Sequence, residues 1–273
     1  MPRYAFLGPE GTYSEEALLG LELPDAEPVA YPTIADVFLA VESGKADGGV
    51  VPIENSVEGS VNATLDGLAF DHDLLISREI VLDIHHSLVV APGTKLTDIT
   101  EVIGHPQATA QSRKWIARTL PGKPVVAANS NAEAVKIAVA TSGAAAIGPA
   151  LAASLYGGEV LIEDVEDFAG NQTRFVLVGR HSAARTGRDK TSLALFLRAD
   201  KPGALLMILS EFAYGGINLT KLQSRPTKRA LGDYMFFIDL EGHVDDENVA
   251  LALSCLRLKL RTVKVLGSYP RAK

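Results

Sequence analysis

Residues 74–91, LLISREIVLDIHHSLVVA, read as one long extended pattern with no helix in it. They interrupt a chain that otherwise alternates short β-rich runs with helical ones. Strands are expected at 4–7, 29–31, 48–51, 102–104, 125–127 and 145–147. Helices are expected at 14–20, 33–41, 61–70, 108–119, 132–139 and 149–156. Such alternation gives βαβ units and parallel sheets with helices on both faces. The rhythm breaks a second time at the late strand QTRFVLV, residues 172–178. A long strand leaving one sheet and a late strand returning to it build two lobes joined by a double crossover. Residues 1–180 are therefore expected to form a two-lobed α/β domain, the second lobe covering about 80–165. A small-molecule site is expected in the cleft between the lobes.

Residues 181–190, HSAARTGRDK, are polar, basic and aperiodic, and read as a linker. Beyond it come a strand at 192–197, a helix at 203–214, strands at 217–224 and 234–240, a helix at 247–260 and a strand at 263–269. This βαββαβ order is the ferredoxin-like unit, placed over residues 191–273. Such units pair edge to edge, so a homodimer or homotetramer is expected. Charge divides near the same boundary. Residues 1–180 hold 11 Lys and Arg against 24 Asp and Glu, net −13, and residues 181–273 hold 15 against 9, net +6. The total of −7 argues against a nucleic-acid partner. A 47% apolar, 22% charged composition excludes wholesale disorder. The single cysteine, Cys255, fits a reducing compartment and reads as a small buried hydrophobe on a helix. The start, MPRYAFLGPEG, has no apolar signal region, and the charge-free stretch 137–158 is punctuated by glycines and Pro149. No membrane span is expected, and the protein is placed in the cytoplasm.

Several polar motifs follow expected strands, where open α/β sheets bind ligands. GPEGTYSEEA, residues 8–17, opens a helix and suits an anion through Thr12 and backbone N–H groups, or is an ordinary capped turn. It is neither a dinucleotide fingerprint nor a phosphate loop. VPIENSVEGSVNAT, residues 51–64, sets Glu54, Asn55 and Ser56 at the rim of a strand. HPQATAQ, residues 105–111, offers Gln107, Thr109 and Gln111 from the second lobe, with His105 as a turn residue. NSNAEA, residues 129–134, has capping-box spacing between Ser130 and Glu133. AGNQTRFVLVGR, residues 169–180, places Asn171, Gln172, Thr173 and Arg174 at the cleft, where the Arg174 fork suits a carboxylate or pairs with Asp164 or Glu166. His85 and His86 are adjacent on a strand, hence on opposite faces, and no metal site or cofactor is expected. No nucleophile triad stands out. Chemistry built from hydroxyls, amides and one Arg suggests a reactive substrate in need of orientation.

Together GPEGTYSEEA, PIENSVEG, HPQATAQ and NQTRF resemble the prephenate dehydratase family. GALLMILSEFAYGGINLTKLQSRP, residues 203–226, resembles the ACT regulatory domain that accompanies it. The resemblance covers essentially the whole chain. It implies a two-lobed catalytic domain of the periplasmic-binding-protein kind, and a carbon–oxygen lyase that converts prephenate to phenylpyruvate in phenylalanine biosynthesis. By the same match, Thr173 would hydrogen-bond the leaving hydroxyl, Arg174 would pair with a substrate carboxylate and Phe175 would fix the strand. Thr12, Asn55, Ser56 and Gln111 would bind substrate. Phenylalanine would act as effector at a subunit interface through Gly203, Ala204, Leu205, Asn218, Leu219, Ser224, Arg225 and Pro226. Gln223 replaces the acidic residue of the family's Glu-Ser-Arg-Pro. Two rivals remain: a dehydratase of arogenate, and a non-catalytic two-lobed amino-acid or anion sensor.

Overall fold

In the computed structural model, which describes residues 1–229 and 233–272, short apolar runs and helices alternate through the first half of the chain. The first lobe runs β1 (Arg3–Leu7), α1 (Tyr13–Leu19), β2 (Glu27–Tyr31), α2 (Ile34–Glu42), β3 (Gly48–Asn55), β4 (Gly59–Ser60), α3 (Asn62–Asp66) and β5 (Leu75–Asp83). A π-helical turn, Gly67–Asp71, continues α3. The second lobe holds β6 (Ser87–Val90), β7 (Glu101–Gly104), α4 (Pro106–Gln111), α5 (Arg113–Thr119), β8 (Val125–Ala127), α6 (Asn131–Ala140), β9 (Ala144–Gly148), α7 (Ala150–Tyr156) and β10 (Glu159–Ile162). The chain then returns through β11 (Gln172–Gly179). It ends in β12 (Asp189–Phe196), α8 (Ala204–Tyr214), β13 (Leu219–Pro226), β14 (Tyr234–Glu241), α9 (Glu247–Lys259) and β15 (Thr262–Pro270).

The run at 74–91 splits between two sheets. β5 and β11 lie in the sheet β2-β1-β3-β11-β5, while β6 lies in the sheet β10-β6-β9-β7-β8. Ile84–His86 crosses between the lobes and is bonded to the returning segment: Ile84 N donates to Asn171 O, and Val165 N to His86 O. The two crossovers thus brace each other. Wholly parallel sheets do not form. β1 is parallel to β2 and β3, and β7 to β8 and β9, but β3–β11–β5 and β10–β6–β9 are antiparallel. A strand that returns from the other lobe enters its sheet from the opposite end. The charge-free stretch resolves into the end of α6, the fully buried AAAIG of β9, and α7. Its alanines let both helices pack close. Among the described residues no helix is long and apolar enough to cross a membrane.

The last four strands form a separate antiparallel sheet, β13-β14-β12-β15, in the expected βαββαβ connection. Its two faces follow strand alternation. Leu193 and Leu195 of β12 pack under α8 and α9 with Ile208, Phe212, Leu253 and Leu256. Ala194 and Phe196 point the other way, joining Met235, Phe237, Leu266 and Tyr269 in one core with Phe38, Ile76, Val176 and Val178 of the first lobe. The C-terminal sheet is therefore docked on the first lobe. Gly267, with φ +149, marks a close approach, because a Cβ there would overlap the Ile76 carbonyl. The expected linker is docked too: Asp189 already belongs to β12 and accepts from the backbone N–H groups of Thr186 and Gly187.

Candidate active site

A cleft of about 430 Å³ opens where the crossovers meet both lobes. The β1–α1 turn contributes Gly8, Thr12 and Tyr13, and the end of β3 contributes Pro52 and Asn55. The crossovers add Ile84, His86 and Asn171; β11 adds Thr173 and Phe175. From the second lobe come His105, Gln107 and Gln111 around α4, and Asn129–Asn131 at the start of α6. A larger cavity of about 530 Å³, between α4, α5 and β8, is lined mostly by apolar side chains, with Arg113 and Lys123 among them. The polar groups converge in the interlobe cleft instead.

Those groups form one hydrogen-bonded chain. Asn55 lies opposite Thr173 in the β3–β11 register. Its Oδ1 accepts from the backbone N–H groups of Val57 and Glu58, both at 2.9 Å. Backbone N–H groups only donate, so the orientation of the Asn55 amide is set. Its Nδ2 donates to Thr173 Oγ1 and to Asn171 Oδ1, both at 2.8 Å. Asn171 Nδ2 donates to Gln111 Oε1 at 3.0 Å, and His86 Nε2 faces the same oxygen at 3.1 Å. Tyr13 Oη closes the chain, 2.8 Å from His86 Nδ1 and 2.6 Å from the His85 carbonyl. Gln111, Asn171 and Thr173 are all buried. Thr173 Oγ1 receives the Asn55 proton, and among the described contacts its own proton is uncommitted. Burial, with the nearby charges of Glu16 and Glu166, raises the Tyr13 pKa well above 10.0, so the phenol stays protonated. Burial lowers the His86 pKa from 6.5, against smaller raising contributions from Gln111 and Glu166. His85 points outward and pairs with Asp164 and Glu166 at 2.9 and 3.1 Å.

Thr12, Asn55, Gln111, Thr173 and Phe175 thus meet in the cleft. Thr12 donates to Leu7 O rather than capping α1. Ser56 is not part of the lining. Its Oγ accepts from Gln172 N at 2.9 Å and pins the returning strand.

Arg174 requires a correction. It lies between Thr173 and Phe175 on β11, and its side chain takes the opposite face. There Nη1 donates to Asp239 at 2.6 Å, Nη2 donates to Tyr269 Oη at 2.6 Å, and Nε faces Glu79 at 2.8 Å. Asp239 is held in turn by Ser192. Neither Asp164 nor Glu166 is its partner. Buried at the docking interface, the guanidinium is not available to a ligand in the cleft. Arg225 is likewise committed, bidentate to Asp66 at 2.5 and 2.7 Å, with Asn62 as a third partner. Gln223 Oε1 accepts from Ser60 Oγ at 2.5 Å. Gly203 caps the N-terminal end of α8, whereas Asn218 and Leu219 follow its C-terminal end. The eleven residues of α8 separate these groups by about 16 Å at 1.5 Å per residue. Ala204 is buried and Leu205 partly so under the helices, while Ser224 and Pro226 lie on the exposed face of β13.

Tyr13 and His86 carry no site role in the sequence reading, and Asn171 is placed at the cleft there without a role. Tyr13 and Asn171 stand inside quoted motifs, so their position at strand ends was the available signal. The two adjacent histidines take opposite faces of the crossover, so one of them faces inward.

The fold and cleft define a two-lobed α/β protein with a ligand site at the crossover, built from neutral hydrogen-bonding groups. A family model described as prephenate dehydratase matches residues 4–183. The chain is 44% identical to a prephenate dehydratase of Mycolicibacterium vanbaalenii, with 99% of this chain and 91% of the relative covered. A crystal structure of prephenate dehydratase in complex with L-Phe from Arthrobacter aurescens superposes with a TM-score of 0.90 at 41% identity, covering 99% of this chain and 90% of that one. A structure described as GqqA, a novel type of quorum quenching acylase, superposes with a TM-score of 0.89 at 30% identity, covering 99% and 98%. The chain belongs to the prephenate dehydratase family.

Proposed function

We propose that this protein dehydrates and decarboxylates prephenate to phenylpyruvate, the lyase step toward phenylalanine. The observation that carries the reaction is the Thr173 hydroxyl: buried in the cleft, it accepts from Asn55 and has its own proton free to donate. Prephenate becomes aromatic as it loses its ring hydroxyl and carbon dioxide, so the driving force lies in the substrate. The electrons of the breaking bond to the carboxylate carbon enter the ring as the C–O bond breaks, and the departing oxygen takes up negative charge. Thr173 is placed to stabilise that charge by hydrogen bonding, since a neutral threonine is too weak an acid to deliver its proton outright. Phe175 shares the cleft face and packs beside the ring. Asn55, Asn171 and Gln111 hold Thr173 in one orientation.

Purified protein given prephenate is expected to form phenylpyruvate, with arogenate as the control substrate. Thr173→Ala should lower kcat by about 10²–10³, the scale of one lost transition-state donor. Thr173→Ser should recover most of it. Near-normal turnover by Thr173→Ala would remove the hydroxyl from the mechanism.

We read residues 191–273 as an ACT regulatory module joined through 181–190 to a catalytic domain over 1–180. The L-Phe complex of the Arthrobacter aurescens relative supports phenylalanine as the effector. Gly203 and Asn218 lie at opposite ends of α8, so a second copy of the chain is needed to bring such groups together, which favours a homodimer or homotetramer. Gln223 stands where the family carries a Glu, and its contact with Ser60 ties β13 to the 54–66 segment of the catalytic half. Calorimetry that shows no phenylalanine binding would end the regulatory reading.

A further inference from the structure

The cleft has an unmet charge requirement. Prephenate carries two carboxylates, yet no Lys or Arg appears among the described residues lining the cleft, and Arg174 is committed elsewhere. Two histidines line it. His105 caps α4 through Nδ1, which accepts from Gln107 N. His86 lies deeper, only 2% exposed, at the end of the chain of hydrogen bonds that leads to Thr173.

The polarity of that chain determines how His86 carries its protons. Backbone donors fix Asn55, Asn55 fixes Asn171, and Asn171 gives a proton to Gln111 Oε1. His86 can bond to the same oxygen only as a donor, so Nε2 carries hydrogen. Nδ1 then faces Tyr13 Oη, which is also 2.6 Å from the His85 carbonyl. One phenolic proton cannot fully serve both acceptors. The conflict disappears if Nδ1 is also protonated: Nδ1–H donates to Tyr13, and Tyr13 donates to the carbonyl. The hydrogen-bond partners therefore suit an imidazolium, which burial opposes.

We propose that His86 is a further substrate-binding residue, which takes one proton from solvent as the dianion enters and becomes its counter-charge. This rests on the dehydratase reading of the cleft. The groups facing His86 are Tyr13, itself near Glu16 of α1, Gln111 from α4 with Glu58 behind it, and the neighbouring His85 with its partner Asp164. Glu166, on the return crossover, accepts from His86 N at 2.9 Å. Of these, Glu166 favours the cation and His85 opposes it, while the bound carboxylates add the decisive negative charge. No covalent step is involved.

The test is the pH dependence of KM and kcat for prephenate between about pH 6.5 and 8.5, where carboxylic acids of ordinary pKa near 4 no longer titrate. Because kcat/KM reports the free enzyme and kcat the complex, KM of the unmodified protein should rise about tenfold per pH unit while kcat stays level. His86→Gln keeps an Nε2 donor for Gln111 but cannot take up charge. Its KM should be at least about tenfold higher at pH 6.5 and flat above it, with kcat within about threefold. A pH-independent KM in the unmodified protein overturns the proposal, and this arm needs no variant to fold. An unaltered slope in His86→Gln overturns it as well. The two readings separate through calorimetric binding measured alongside turnover. Prephenate binding that weakens with pH but yields no product overturns the dehydratase reading and leaves His86 in place. Turnover with a flat KM does the reverse.

Discussion

Replacing Arg174 with Met removes a guanidinium whose three nearest partners have little access to water, with the more exposed Glu54 further off at 3.5 Å. The side chains of Glu79 and Asp239 are 3% and 8% exposed, and Tyr269 is fully buried. Breaking a buried ion pair by deleting one member costs about 3–5 kcal/mol, because the remaining charge stays buried without a partner. Glu79 keeps Lys190 at 2.7 Å, whereas Asp239 keeps the Ser192 hydroxyl but, among the described residues, no other ion-pair partner. The lower end of that range, about 3 kcal/mol, is therefore expected. At roughly 2–4 °C per kcal/mol for a chain of this size, thermal unfolding should fall by about 6–12 °C. Arg174→Lys keeps the charge but cannot reach all three partners, and should fall between. Prephenate KM should stay within about threefold in both variants, because the side chain does not enter the cleft. The assay pairs a thermal melt with steady-state kinetics. A tenfold or larger rise in KM with an unchanged melt would place the guanidinium on the substrate and refute the interface assignment.

At the other contact between the halves, Gly267→Ala inserts a methyl group against the Ile76 carbonyl at a positive φ. A loss of about 3 kcal/mol is expected from overlap and backbone strain together, and a denaturant titration that finds none would mean that β15 does not abut β5. Asp66 supplies a pH-dependent contact. Burial alone would raise its pKa, but the hydrogen bonds and charges of Arg225 and Lys228 outweigh this and hold it below 3.8. A depressed folded-state pKa adds stability above the unfolded value, which is lost as pH falls below about 4. Asp66→Asn should therefore be less stable at pH 7 and lose less on going to pH 3; equal acid sensitivity in both proteins would contradict the pairing.

The rhythm of strands and helices was legible because short buried runs between amphipathic segments leave a periodic trace. Strand direction was not, since hydropathy is the same for β11 whether it runs parallel or antiparallel to β3. β10 escaped notice because EVLI is short and only half-buried, after two glycines. The cleft residues Asn55, Gln111 and Thr173 were legible from the polar motifs at strand ends and strand-to-helix junctions that contain them. Arg174 shows the opposite case. Strand alternation already sends it away from the face that Thr173 and Phe175 share, but its expected role rests on the chemistry of its fork and on the family motif, and neither specifies which way a side chain points. The charge division near residue 181 had a structural meaning that net charge alone did not reveal. Lys190, Lys221, Arg225 and Lys264 of the basic half pair with Glu79, Glu54, Asp66 and Asp73 of the acidic half.

The direction of charge flow in the reaction gives a reason for keeping a fixed guanidinium out of this cleft. The ring carboxylate leaves as neutral carbon dioxide, so its negative charge declines toward the transition state. A permanent cation bound to it would stabilise the reactant more than the transition state and slow the step. The charge that grows is on the departing hydroxyl, and on the proposed reading Thr173, oriented by Asn55, meets it in the same cleft. Neutral donors bind the ground state less strongly and can strengthen where charge develops. A fold that turns Arg174 outward to hold the C-terminal sheet while turning Thr173 inward therefore gives adjacent residues of one strand opposite electrostatic tasks. Strand alternation makes that division available, and exchanging the two residues would lose both.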